Sequence, residues 1–201
     1  LLKGWSGPAN KEQMEDLSSI LAAGRHLLML INDVIDVSKI EAGKLESLVE
    51  DFDLSDLVNE ALEMVKNERE AGGLEFVAAA PRQDMHTDRR RLLQCMINLL
   101  SNAAKFTPKG NVTIRTQAFK SSVNAAAPDF VEISVTDTGI GIREEDISKL
   151  FSPFSRLVSP LTTGKKGTGL GLHLVRKITA EILKGEVSAK SIYGQGSTFS
   201  L

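Results

Sequence analysis

The chain has 201 residues, of which 42% are hydrophobic and 25% are charged, and its formal net charge is -2. This composition is typical of a soluble globular protein, and so small a charge gives no reason to expect binding to nucleic acid or to a membrane surface. A single cysteine excludes an internal disulfide framework, and no run approaches the roughly 18 apolar residues of a membrane span. We therefore expect a cytoplasmic chain, or the cytosolic part of a larger membrane-anchored or multidomain protein. Its start at Leu-Leu suggests a piece of a longer protein.

The first predicted element is a long helix from about Asn10 to Ala42, which Gly43 ends. Its apolar residues alternate spacings of three and four, the pattern of a heptad seam. About 33 residues at ~1.5 Å each would extend ~50 Å, too far for a small domain to cover. A flanking apolar stripe at Ile20, Leu27 and Val34 widens the seam beyond a two-stranded coil. We therefore predict a helical bundle and dimerisation through it.

The rest of the chain alternates short strands with helices. A strand at 52–54 precedes a helix that Ser55 caps, and hydrophobic alternation predicts an antiparallel pair at 111–119 and 130–136. With strands grouped on one side and helices on the other, the fold class is a two-layer α/β sandwich. The remaining predicted elements are helices at 55–69, 88–105, 144–150 and 169–185 and strands at 74–80, 186–191 and 197–201.

The helix that begins after Asp88 carries a polar stripe beside its apolar face. Asn98, Asn102 and Lys105 are spaced i, i+4 and i+7, so their side chains share one side of the helix. Asparagine is a mediocre helix former, so two in register beside a lysine need a reason. Amide oxygens with a nearby cation would suit Mg²⁺ and the phosphates it neutralises. The alternative is a solvated polar face.

Two glycine-rich segments follow. Asp137 to Gly141 (DTGIG) comes directly after a strand, where a carboxylate can accept a hydrogen bond from an amino group and glycines admit a flat ligand. Residues 167–171 (GTGLG) open a helix, whose free N–H groups can bind an anion. Neither is specific alone: turns often contain Asp and Gly, and the second segment lacks the features of a Walker loop or a Rossmann unit. Thr198 could likewise be an ordinary strand residue.

Taken in order, these motifs resemble those of the GHKL ATP-binding family, and within it the catalytic region of a sensor histidine kinase. NLLSNAAKFTPKG is similar to the N box, DTGIGI and GTGLGL to the two glycine boxes, and LFSPFSR to the phenylalanine box. The stretch INDVIDVSKIEAGKLE resembles the second helix of the dimerisation domain and its link to the ATP domain. The resemblance implies a GHKL (Bergerat) ATPase fold over 47–201, preceded by a partial dimerisation region at 1–46.

The resemblance also implies a role for each motif residue. Asp137 would hydrogen-bond adenine N6 beside Gly139 and Gly141, and Thr198 would support the adenine. Asn98 and Asn102 would hold Mg²⁺ between the phosphates of ATP, while Lys105 reaches a phosphate. Residues 143–166 would form a lid anchored by Phe151 and Phe154. The second glycine box and the cations before it would meet the phosphates through Lys165, Lys166, Gly167, Gly169, Leu170 and Gly171.

Asn98 stands where hydrolytic relatives such as gyrase carry a glutamate that activates water. An amide cannot act as a general base, so we expect ATP to be held for an outside nucleophile rather than hydrolysed. The phosphorylated histidine of the family lies on the first dimerisation helix, and none of His26, His86 and His173 has its sequence context. The implied function is transfer from ATP to a histidine outside this chain, and from there to the aspartate of a response-regulator receiver domain. The alternatives are an ATP-responsive switch without phosphotransfer and, less well supported, a protein-serine kinase.

Overall fold

A computed structural model describes residues 10–67, 70, 73–120, 128–155 and 168–201. The long helix is α1, Lys11–Glu41. Its start is set by a reciprocal cap, in which Asn10 Oδ1 accepts from the Gln13 N–H at 2.8 Å and Gln13 Oε1 accepts from the Asn10 N–H at 3.0 Å. Gly43, at φ +63°, follows the helix in the left-handed conformation that glycine adopts without strain. The predicted long helix is confirmed.

Four further helices and seven strands have defined bounds in the described residues. The strands are β1 Glu50–Asp53, β2 Glu75–Ala79, β3 Asp84–Thr87, β4 Asn111–Lys120, β5 Pro128–Asp137, β6 Ser188–Ile192 and β7 Gly196–Ser200. The helices are α2 Leu54–Met64, α3 Arg89–Phe106, α4 Glu144–Ile147 and α5 Gly171–Glu181. Most of the predicted elements are therefore confirmed to within a few residues.

Five strands form one mixed sheet in the order β2-β4-β5-β7-β6. Strands β4 and β5 pair antiparallel as predicted, with Val112 opposite Asp137, and β2 joins the edge parallel to β4. On the other side, β7 pairs antiparallel with both β5 and β6. This topology brings the end of β5 beside the start of β7.

Helices α2, α3 and α5 cover one face of the sheet. Each contributes an apolar stripe to a single core that also contains the inward residues of β4 and β5. The other face exposes polar strand residues such as Thr136 and Arg115. The predicted two-layer α/β sandwich is confirmed. Fully buried members of the core include Leu54, Leu57, Met96, Leu100, Ile114, Ile133, Leu174 and Ile178.

The sequence missed a small second sheet. Strand β3 pairs antiparallel with β1, and Phe52 lies opposite Met85. Residues 81–87 had no predicted element because only Met85 among 84–87 is apolar. A second correction concerns α2, which begins at Leu54. Asp53, not Ser55, is its N-cap, since Asp53 Oδ1 accepts from the Ser55 N–H at 2.8 Å.

Only the C-terminal end of α1 packs against the core, where Ile40 is 7% exposed. The rest of the helix leaves large apolar side chains open to solvent, among them Met14, Ile20, Leu21, Leu27, Leu28, Met29, Ile31, Val34 and Ile35. None of the helices in the described part of the chain combines the length and apolar character of a membrane span.

Candidate functional site

The polar stripe of α3 is held in place by the opposite face of the helix. Asp88 caps α3 by accepting from the Arg91 N–H at 2.9 Å, and the apolar face is buried against the sheet. Asn98, Asn102 and Lys105 are consequently half-buried along the remaining side. The Lys105 ammonium lies 4.9 Å from the centre of the Phe106 ring.

Asp137 ends β5 with its side chain on the helix-covered face. The residue is 6% exposed, and its Oδ1 accepts from the Gly139 N–H at 2.8 Å. Burial raises the pKa of this carboxyl above its usual range, and hydrogen bonds from the Gly139 and Ser197 backbone oppose that rise only in part. A carboxylate kept from water in this way gains from any further hydrogen-bond donor that a ligand brings.

The turn after Asp137 packs against the C-terminal end of α3. The Phe106 carbonyl accepts from the Ile140 N–H at 3.1 Å, and a Cβ on Gly139 would lie 2.4 Å from the same oxygen. Gly141 has φ +63°, and a Cβ there would lie 2.1 Å from the Ile192 carbonyl oxygen. Both positions require glycine, so the acidic turn sits directly between α3 and the β6–β7 hairpin.

The start of α5 lies against the other end of the polar stripe. A Cβ on Gly171 would come within 2.2 Å of Asn98 Oδ1, so the first turn of α5 and this amide are neighbours. Leu170 is 2% exposed and fixes the entry to the helix, while its N–H donates to Thr168 Oγ1 at 3.0 Å. No described side chain caps α5, whose leading N–H groups can therefore receive an anion.

Residues 151–155 contact the start of α5 and the residues just before it. A Cβ on Gly169, at φ +73°, would lie 2.8 Å from the Phe154 carbonyl carbon, and His173 Nδ1 lies 3.0 Å from the Phe151 carbonyl oxygen. Phe151 packs against the core, but Phe154 is 67% exposed, so burial of the Phe154 ring does not anchor this segment. Lys165, Lys166 and Gly167, and the predicted lid from 156 onward, lie outside the described residues.

Thr198 is not on the face of the sheet that carries Asp137. Its hydroxyl lies 3.0 Å from that of Thr136, its partner across β5 and β7, on the face away from the helices. Ser197 is the residue opposite Asp137, is 7% exposed, and has its Oγ 3.0 Å from Ser191 Oγ. Strand alternation therefore puts Thr198 on the face away from Asp137, whereas Ser197, which the sequence analysis did not name, lies on the same face as Asp137.

The described residues contain no group of three or more His, Cys, Asp or Glu side chains that could form a metal site. The polar stripe instead offers amide oxygens, which are hard ligands of the kind Mg²⁺ accepts when substrate phosphates supply most of its shell. The donor set therefore fits a metal that arrives with a phosphate ligand and not a dedicated protein cage.

Comparison with known proteins agrees with this geometry. Residues 87–201 match the family of histidine kinase-, DNA gyrase B- and HSP90-like ATPases. The chain is 39% identical over 197 residues to the non-motile and phage-resistance protein of Caulobacter vibrioides, covering 96% of this chain and 23% of that protein. It is 38% identical over 206 residues to the circadian input-output histidine kinase CikA of Synechococcus elongatus, covering 100% of this chain and 26% of that protein.

Among solved structures, full-length ShkA in complex with AMPPNP superimposes with a TM-score of 0.78 at 28% identity, covering 97% of this chain and 39% of that one. The match extends over both α1 and the sheet domain. The chain thus spans about a quarter of the length of the two curated relatives.

Proposed function

Because the chain belongs to the family of histidine kinase-, DNA gyrase B- and HSP90-like ATPases, we propose that it is the ATP-binding catalytic region of a sensor histidine kinase that transfers the γ-phosphoryl group to a histidine. The observation that carries the proposal is the meeting of three segments: Asn98 of α3 lies against Gly171 of α5, and the turn after Asp137 lies against the end of α3. The boundary between the α1 region and the ATP domain is placed at about residue 46.

The adenine subsite is assigned to the end of β5. The Asp137 carboxylate accepts from the exocyclic amino group, and Gly139 and Gly141 let the backbone approach the base. Ser197, on the same face as Asp137, replaces Thr198 as the hydroxyl that supports this contact. Support comes from the burial of both side chains and from their register across the two strands.

The phosphate subsite is assigned to the space between α3 and α5. Mg²⁺ would neutralise the phosphates, and the Asn98 and Asn102 oxygens would hold it there. Lys105 would pair with a phosphate, and the leading N–H groups of α5 would bind another. The contact between Asn98 and Gly171 supports this arrangement, since it places amide oxygen and helix terminus within one phosphate's reach.

Phosphotransfer is favoured over hydrolysis by the chemistry of Asn98. An amide has no basic lone pair with which to take a proton from water, so the ATP terminal phosphate is held until a stronger nucleophile arrives. In the described structure His173 is engaged with the Phe151 carbonyl and His86 Nδ1 lies 2.7 Å from Asp51 Oδ1. Because none of His26, His86 and His173 has the sequence context of the family's phosphorylated histidine, we place the acceptor histidine on another helix, packed against the apolar side chains of α1.

That placement also implies the partners. Two copies would associate through α1 and the histidine-bearing helices as a four-helix bundle, and a receiver domain would then take the phosphoryl group from the histidine. The exposed apolar side chains of α1 support the bundle. A stripe of this size is unfavourable unless it is covered.

The test is transfer of labelled phosphate from ATP in a longer chain that adds the preceding histidine-bearing helix. We expect acid-labile, alkali-stable label on that helix, and we expect none after Asn102→Asp, because this substitution changes a proposed Mg²⁺ ligand. Tight nucleotide binding with no label would reject the kinase and leave the ATP-responsive switch. Acid-stable label would indicate a serine kinase.

A further inference from the structure

A partly buried polar cluster joins α1 to the start of α3. Arg91 of α3 donates from Nη1 to Asp36 Oδ2 of α1 at 2.8 Å and to Gln94 Oε1 at 2.8 Å. Gln94 Nε2 donates to the same Asp36 oxygen at 3.0 Å. We call these three residues the Asp36 cluster; they form a closed triangle between two helices, in which Asp36 and Arg91 are 55 residues apart along the chain.

The cluster is shielded from water. The Arg91 side chain is 10% exposed and that of Asp36 is 19% exposed. Although burial alone raises the pKa of Asp36, the hydrogen bonds from Gln94 and Arg91 lower it overall, so the carboxylate is charged at neutral pH. Loss of that charge would leave a buried guanidinium without its counter-ion, which is far more costly than loss of a surface pair.

The same junction is reinforced on both sides. Asp88 Oδ2 accepts from the Leu48 N–H at 2.9 Å, so the segment after α1 is tied to the start of α3. Ile40 enters the core between these contacts. By contrast, the nearby pair of Glu41 with Lys177 spans 3.6 Å with Glu41 57% exposed, which makes it a peripheral contact.

Arg91 and Asn98 are seven residues apart on α3. This spacing is close to two full turns, so both side chains lie on the same side of the helix, about 10 Å apart along its axis. A change in the contact between α1 and Arg91 therefore acts on the same helix, α3, that carries the polar stripe.

We propose that the Asp36 cluster is a positioning device: it fixes the orientation of the catalytic domain on α1, and its opening frees the domain to move relative to that helix. The orientation of the domain on α1 would set the distance between the bound nucleotide and the acceptor histidine, and this part of the inference rests on the proposed function. The contact between α1 and α3 does not depend on the proposed function, since it is made within this chain.

The test is hydrogen exchange of the backbone amides at 36–48 in the full 201-residue chain. In Asp36→Asn we expect exchange at least about tenfold faster over these residues, while the amides of β4 and β5 stay as protected as in the parent. Glu41→Gln is the matched control, because it removes a charge from the same helix at an exposed pair, and we expect less than about twofold change there.

A second variant separates positioning from a mere loss of packing. Adding Arg91→Gln to Asp36→Asn removes the stranded guanidinium and lets amides hydrogen-bond across the junction, so protection at 36–48 should recover by most of the lost factor. Unchanged exchange in Asp36→Asn, or equal losses in β4 and β5, would overturn the inference.

A measurement of nucleotide binding distinguishes failure of this inference from failure of the proposed function. Among the described residues, Asp36 hydrogen-bonds to Arg91 and Gln94, neither of which is assigned to the nucleotide site, so Asp36→Asn should change the dissociation constant for Mg²⁺-ATP by less than about threefold. A parent chain that fails to bind ATP would refute the proposed function and leave the exchange result standing.

Discussion

Asp137 places a carboxylate where little water reaches it, and the raised pKa shows that the folded chain alone does not fully compensate the charge. A donor from adenine would supply the missing compensation. Asp137→Asn should therefore raise the dissociation constant for ATP by roughly 10- to 100-fold, the equivalent of about 1.5–3 kcal/mol for a hydrogen bond to a charged group. Calorimetric titration measures this directly.

Asp56→Asn on the exposed side of α2 is the matched control, since it removes the same charge away from the site. Its affinity for ATP should equal that of the parent chain. If Asp137→Asn also binds ATP as the parent does, the adenine subsite is not at the end of β5.

Ser197 and Thr198 are adjacent, yet they face opposite sides of the sheet. Ser197→Ala should weaken ATP binding severalfold because it removes a buried hydroxyl beside Asp137, whereas Thr198→Val should change it by less than about twofold. Fluorescent-nucleotide titration of both variants checks the assignment. The reverse order of effects would restore Thr198 to the site.

A motif does not specify which of two neighbouring strand residues, Ser197 or Thr198, shares a face of the sheet with Asp137. Residue type and spacing suggested a hydroxyl near the base, but the choice between neighbours depends on the parity of β7 relative to Asp137. That parity is fixed only by the pairing of Asp137 with Ser197. By contrast, the shared stripe of Asn98, Asn102 and Lys105 follows from helix periodicity alone and could be predicted.

Gly171 tests whether α5 and the polar stripe cooperate. Gly171→Ala would improve helix propensity but bring Cβ within 2.2 Å of Asn98 Oδ1, so the amide must rotate away. We expect a folded chain whose affinity for Mg²⁺-ATP falls roughly tenfold. Gly24→Ala in α1, where nothing lies within 4 Å of the added Cβ, is the control and should bind as the parent. If Gly171→Ala and Gly24→Ala both bind Mg²⁺-ATP as the parent chain does, Asn98 does not contact the phosphates.

At the level of elements, strong periodicity predicted α1, α3 and the β4–β5 pair. The ribbon of β1 and β3 was missed because Asp84 to Thr87 is mostly polar and its pairing joins segments more than 30 residues apart. The parallel pairing of β2 with β4 was also beyond reach, since hydrophobic alternation carries no direction. Long-range pairing, not local propensity, decides both.

The exposed apolar stripe of α1 can be tested as an interface between subunits. If it is an interface between subunits, Leu28→Glu should shift the chain towards monomer, because Leu28 is 59% exposed at the centre of the stripe. Ser19→Glu, close to the opposite side of the same helix at 100° per residue, should leave the distribution unchanged. Sedimentation velocity over a range of concentrations measures both, and identical behaviour of the two variants would argue against this interface.

In the whole molecule, the sheet, α3, α5 and α1 form one connected arrangement. The sheet holds Asp137 and Ser197 in register, α3 carries the polar stripe, and α5 begins beside Asn98 of that stripe. The Asp36 cluster then connects α3 to α1, and through α1 to whatever covers its apolar side chains. The two curated relatives are about four times longer than this chain.

The central claim is that the polar stripe, the acidic turn and the start of α5 enclose a single nucleotide. A crystal structure of the chain with Mg²⁺ and a non-hydrolysable ATP analogue tests it most directly. We expect the adenine amino group within hydrogen-bond distance of Asp137 and the phosphates between Asn102 and the first turn of α5. A nucleotide bound elsewhere, or the adenine on the face that carries Thr198, would contradict it.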